Sequence, residues 1–282
     1  MSTNLIFKIK NLECCYFPGK TVLSIDELKI PRGSLVFILG LSGVGKSTFV
    51  ETLGLMNKTI SENDLTDISF YNNNNQIIPI EKFWKKGDKE ISAFRRKHFS
   101  FIFQNTNLMA NFSAGENMSI SRLINGTPLE EVKAEVLSIM SKLDLPPDIY
   151  DKKVTELSGG QRQRIAFVRA VIAEYSVLFG DEPTGNLDKR TAFKLMGVLK
   201  SYLGKDKTGI IVSHDIDLAV QFADKIIVLN RVDAADKTSS GAVLGENIIT
   251  KKDQLWYDIN ECFIQDAHGF IQKKMTTSLS LV

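Results

Sequence analysis

The stretch SLVFILGLSGVGKSTFVETL, residues 34–53, leaves few folds open to this chain. Leu35 to Leu39 is an unbroken apolar run bounded by glycine, which suits a strand buried on both faces rather than one with a wet side. From Lys46 onward the apolar residues fall at helical spacing, so the segment reads as strand, glycine-rich loop, helix. Strands buried on both faces belong to parallel sheets, whose neighbours must be joined by crossovers, usually helical. The rest of the chain repeats that demand. FSFIFQ, SVLFGDEP, GIIVSH and KIIVLN read as further buried strands, separated by helical patterns that include residues 189–203 and IDLAVQFA. The order β-α-β-α-β predicts an α/β protein with a mainly parallel core sheet.

Other segments carry different signals. LIFKIKNLECCYF and TVLSIDELKI read as strands ahead of the Pro31-Arg32-Gly33 turn, and Asn72 to Asn75 form the turn of a short hairpin. Thr127-Pro128 opens a helix, with Glu130 placed to complete a capping box and Pro146-Pro147 to stop it. Past Asn230 the periodicity is weak.

Composition narrows the function classes. Net charge is +2, from 35 basic and 33 acidic side chains, so no global field draws in nucleic acid and any anion site must be local. The three cysteines, Cys14, Cys15 and Cys262, lack metal spacing and read as reduced thiols. No apolar run is long and clean enough for a signal peptide or a membrane helix, which points to a soluble protein that reaches a membrane only from its surface.

The glycine-rich loop has the pattern G-x-x-x-x-G-K-S: Gly40, Leu41, Ser42, Gly43, Val44, Gly45, Lys46, Ser47, followed by Thr48. Placed after a buried strand and opening a helix, this is the P-loop arrangement. Its glycines let successive backbone N–H groups curl around phosphate oxygens, and the helix N-terminus adds positive potential. Lys46 is the charge for the β- and γ-phosphates, and the Ser47 hydroxyl is a Mg²⁺ ligand.

Phosphoryl chemistry also needs an acid near the metal and a base for water. VLFGDEP supplies both at one strand end: Asp181 as magnesium partner, direct or through water, and Glu182 as general base. Gln104, after another strand, can reach Mg²⁺ or the water. His214, after a third, can bond the γ-phosphate. His98 and His268 read as structural. TELSGGQRQR, residues 155–164, is a second turn suited to phosphate: Ser158, Gly159 and Gly160 open a basic helix more than a hundred residues after the first loop.

In that order and spacing, GLSGVGKST, FIFQ, LSGGQRQRIAFVRA, LFGDEPTGNLD and IVSHD resemble the ATP-binding cassette of ABC transporters over about residues 4–230. The resemblance implies an α/β P-loop NTPase fold with a mainly parallel core sheet, an antiparallel β subdomain and a helical signature subdomain at about residues 105–175. It implies an ATP-binding domain over residues 1–230 and a C-terminal extension, 231–282, that the family pattern does not match. Residues Gly40 to Thr48 then form the Walker A loop, Gln104 the Q-loop and Leu157 to Gln161 the signature. Asp181 and Glu182 end Walker B, Asn186 to Asp188 form the D-loop, and His214 is the switch histidine. An aromatic residue of an early strand stacks on adenine in the family; Tyr16 is the first candidate and Phe17 the second.

DEPTGNLD and FIFQNTNLMANFSAGENM look like the branch of lipoprotein-releasing, macrolide-export and cell-division ATPases. The resemblance implies ATP and Mg²⁺ as cofactors, and a second ATPase subunit, expected to be identical. It also implies a separately encoded integral-membrane permease as partner and a peripheral place on the cytoplasmic face of the inner membrane. In the family, the signature of one subunit, here Ser158, Gly159, Gly160 and Gln161, with Asp188 nearby, serves the ATP held by the other. Two other readings remain: a regulatory cassette acting on an envelope or cell-division partner without transport, and a soluble cassette working on ribosomes or DNA.

Overall fold

The computed structural model describes residues 4–17, 20–61, 65–233, 239–276 and 279–280. Strands β1 (Leu5–Phe17) and β2 (Lys20–Pro31) pair antiparallel, and each alternates buried with exposed positions along much of its length. β3 (Leu35–Leu39) is buried at every residue, as its unbroken apolar run requires, and feeds the loop that opens α1 (Lys46–Leu53). β4 (Asp67–Tyr71) and β5 (Ile77–Pro79) form the hairpin over the asparagine turn. In that turn the Asn72 side-chain oxygen accepts from the backbone N–H groups of Asn74 and Gln76. A 3₁₀ turn at Ile80–Lys85 and the helix α2 (Asp88–His98) then lead into β6 (Phe99–Ile102).

Three helices follow: α3 (Ala114–Ile124), α4 (Leu129–Lys142) and α5 (Gly159–Ile172). The capping box expected at Thr127 and Glu130 is absent. Pro128 is the residue before α4 and makes no side-chain cap, while the Thr127 hydroxyl accepts from Arg122 Nε at 3.3 Å. A tight turn with Gly126 at φ 87 delivers the chain one residue late for Thr127 to cap. Full boxes stand instead at Ser113/Glu116 and Ser158/Gln161, which share the same S-x-x-E/Q signal.

The α/β alternation resumes with β7 (Val177–Asp181), α6 (Lys189–Leu203), β8 (Thr208–Ser213), α7 (Ile216–Phe222) and β9 (Lys225–Asp233). The order β9-β3-β8-β7-β6 is parallel throughout. Helices α3 to α7 contribute to one apolar core on the sheet. A second core, enclosed by β1, β2, β4 and α1, stacks Phe7, Phe70, Phe99 and Phe179 with ring centroids 5.3–6.3 Å apart.

Among the described residues after 230, several add strands to this sheet. β10 (Ser239–Lys252) lies between β2 and β9, parallel to the first and antiparallel to the second, and so joins the antiparallel arm to the parallel core. β11 (Leu255–Tyr257), β12 (Phe263–Ile264), α8 (Ala267–Thr276) and β13 (Leu279–Ser280) complete the tail. Trp256 and Ile271 are buried in the core shared with β3 and α6. Asn230 donates to the Lys274 carbonyl at 2.8 Å. Ile271→Ala is therefore expected to cost about 2–5 kcal/mol in a denaturant titration, because it empties a fully buried site. A loosely attached tail would show no shift of the midpoint.

Candidate functional site

The C-terminal ends of the parallel strands converge on one opening. The loop after β3, Gln104 beyond β6, Asp181 at the end of β7 and His214 beyond β8 line an open cavity of about 530 Å³, together with Glu182, Gly185, Asn186 and Val22. Ligands of open α/β sheets bind in this place, outside the carboxyl ends of the strands.

The loop's shape follows from its glycines. Gly43 and Gly45 have φ values of 79 and 93, in the left-handed region, and a Cβ on Gly45 would stand 3.1 Å from the Val22 carbonyl oxygen. Gly45 precedes α1, whose first N–H groups have no partner within the helix. Lys46 Nζ donates to the Gly40 and Leu41 carbonyls, each at 2.9 Å. Burial pushes the Lys46 ammonium below its ordinary pKa, against the attraction of Glu182 and then Asp181. The tail supports the loop from behind: at Gly241 on β10 a Cβ would overlap the Val44 carbonyl oxygen. Sequence patterns gave no sign of that contact, nor of Val22 in the cavity wall.

Two carboxylates stand side by side with different partners. Asp181 takes a hydrogen bond from the Ser47 side chain, yet burial first, and the Glu182 charge after it, raise its pKa. A cation between Ser47, Gln104 and Asp181 would meet only oxygen donors, the set that suits a hard ion such as Mg²⁺. Among the described residues no cluster of three or more His, Cys, Asp or Glu could hold a metal. Magnesium needs only one or two carboxylates when phosphates complete its shell.

Glu182 sits at φ 48, a left-handed conformation in which a non-glycine residue is strained, and its N–H donates to the Val212 carbonyl at 3.0 Å. Its Oε1 lies 3.0 Å from His214 Nδ1. The turn after Glu182 is tied to α5, since Gln163 Nε2 donates to the Pro183 carbonyl at 2.8 Å.

Tyr16 stands beside the cavity rather than in its lining. Its ring is 48% exposed, and its hydroxyl bonds Thr48 Oγ1 and Glu51 Oε2, both at 3.1 Å. Phe17 is more exposed, at 71%. His98 is buried between Phe70 and Phe94, with its pKa lowered to about 4 by burial and Lys97, and belongs to the packing.

The second phosphate-like turn is not among the residues lining the cavity. Ser158 caps α5 by accepting from Gln161 N–H at 3.2 Å, while Gln161 Oε1 accepts from Ser158 N–H at 2.8 Å. A Cβ on Gly159 would meet nothing within 4 Å, so the chain's own packing does not require glycine there. Asp188 caps α6 through the Thr191 N–H. The structure thus gathers Ser47, Gln104, Asp181, Glu182 and His214 and leaves Ser158 to Gln161 and Asp188 outside that cavity.

Known proteins are similar to this chain in sequence and in fold. Residues 23–185 match the family model described as ABC transporter. The lipoprotein-releasing system ATP-binding protein LolD of Colwellia psychrerythraea is 34% identical over 219 residues, which cover 74% of this chain and 80% of that protein. The macrolide export ATP-binding/permease protein MacB of Photorhabdus laumondii is 28% identical over 291 residues, covering 99% of this chain and 42% of that protein. The chain therefore spans about two fifths of the length of that relative. Among solved structures, the dimeric structure of MJ0796, a bacterial ABC transporter cassette, gives a TM-score of 0.65 at 29% identity, over 79% of this chain and 93% of that one. The same cassette is also known as a dimer in a post-hydrolysis state bound to ADP and Pi, with a TM-score of 0.65 at 28% identity over the same shares. A family match across more than half the chain, joined to a relative above 30% identity, places this protein in the ABC transporter family, as an ATP-binding cassette.

Proposed function

We propose that this cassette binds and hydrolyses ATP, that two copies close on two ATP molecules, and that closure drives a membrane permease from its cytoplasmic face. The observation that carries this reading is the separation of the two phosphate-like turns, one in the cavity and one outside it. A chain with two half-sites completes both when two copies meet head to tail.

Each residue then has a task that its surroundings support. The loop amides and the α1 terminus cradle the phosphates, and Lys46 exchanges its two carbonyl contacts for phosphate oxygens. Ser47, Asp181 and Gln104 hold Mg²⁺, which when bound neutralises phosphate charge. Glu182 takes the proton from the attacking water, and His214 holds its carboxylate in place. Ser158 Oγ and the N–H groups of Gly159 and Gly160 complete the γ-phosphate shell of the other subunit's ATP. Tyr16 offers a ring face beside Thr48 for adenine.

Likeness to LolD and MacB supports a force-coupled permease as the partner. Among the described residues no helix is long and apolar enough to cross a membrane. Light scattering tests the pairing: the Glu182→Gln chain is expected to double its mass with ATP and Mg²⁺ and to remain monomeric with ADP. A single mass under both conditions would sink the proposal.

A further inference from the structure

The sheet has a second opening at its other edge. Lys97 and His98 lead into β6, Ser176 into β7 and Lys207 into β8, and these residues line a cleft of about 390 Å³. The strands are parallel, so this cleft lies at their N-terminal ends, across the sheet from the ATP cavity.

One wall is the asparagine turn, which is anchored. Arg32 donates through Nη1 to Asn73 Oδ1 at 2.9 Å, and through Nη2 to the carbonyls of Tyr71 at 2.5 Å and Asn72 at 2.9 Å. The other walls carry cations. Arg122 is already paired with Glu131 and Glu135, at 3.5 and 3.3 Å. Lys97 and Lys207 have no ion-pair or hydrogen-bond partner for their ammonium groups among the described residues. Lys207 stands 4.5 Å over the ring of Tyr175, and burial lowers its pKa against the attraction of Glu135 and Glu174, neither of which bonds it directly. Glu174 is the one carboxylate in the lining. The Tyr175 hydroxyl is buried without a hydrogen-bond partner.

We propose that this cleft binds a phosphate group, gripped by Lys97 and Lys207, with the exposed amides of Asn73 and Asn74 as further donors. Two cations and two amides on separate elements offer more donors than a carboxylate can use, whereas a phosphate presents several strong acceptor oxygens. A bound phosphate would also give Lys207 the direct partner that Glu135 and Glu174 do not provide. The hairpin and the basic end of α2, which have no task in ATP hydrolysis, here make one pocket. The site is independent of the ATP cavity.

Pyrophosphate and lipid vesicles are the probes. With ADP and Mg²⁺ saturating the loop, calorimetry on the full chain is expected to show pyrophosphate binding that weakens about tenfold or more in Lys97→Met/Lys207→Met. Lys207→Arg should keep it, and ADP affinity and melting temperature should not move in any variant. Co-sedimentation with phosphatidylcholine vesicles, with and without phosphatidic acid, distinguishes the sources. Lysine-dependent binding to phosphatidic acid assigns a lipid headgroup, and pyrophosphate binding alone assigns a soluble phosphate. No binding of either probe, or equal binding by parent and double variant, would overturn the proposal.

Discussion

Glu182→Gln is expected to bind ATP as the parent does and to hydrolyse it about 10²–10⁴-fold more slowly, the usual contribution of a positioned general base. The amide matches the carboxylate in shape, so the cavity, the Ser47–Asp181 contact and the loop that holds Lys46 are left in place. What disappears is the acceptor for the water's proton. The backbone at this position is held at φ 48 by the bond from its N–H to Val212, so the side chain is aimed by the fold and a neighbour cannot easily replace it. Nucleotide titration and phosphate release, measured on one preparation, separate binding from turnover. Turnover close to the parent's would remove Glu182 from the role of base.

Gly159→Asp is expected to fold and bind ATP like the parent yet to lose turnover about 10²–10³-fold, since a like charge set against phosphate costs several kcal/mol. Within the chain the substitution is easy. A Cβ at Gly159 meets nothing within 4 Å, and a carboxylate at the first turn of α5 suits the helix terminus. The damage should come only from a phosphate arriving from another subunit. Melting temperature and ATP affinity check the first half of this statement, and phosphate release the second.

How much of this could be read from residues alone depended on the range of the contacts. The loop and its flanking strand and helix are local, and the pattern of glycines, Lys46 and Ser47 announces them because phosphate binding fixes those residue types at that spacing. The same holds for the asparagine hairpin. β10 was illegible for the opposite reason. Its partners are β9 and the distant β2, with Gly241 opposite Leu23, and its pairing with β9 shifts between Val243 and Ile248, so no simple alternation survives. Thr127 and Glu130 carried a valid capping signal that a turn at Gly126 overrode. The basic cleft joins Asn72–Asn74, Lys97 and Lys207, three segments that only strand order brings together.

The central claim is that each ATP is served by two chains, and a mixing experiment tests it most directly. Lys46→Ala damages the loop and Gly159→Asp the signature, so each variant alone should be nearly inactive. In a mixed dimer both lesions fall in one shared site and leave the other intact. An equimolar mixture should then recover about a quarter of the parent rate, because half the dimers are mixed and each has one working site of two. If every chain instead completed its own site, mixing would restore nothing.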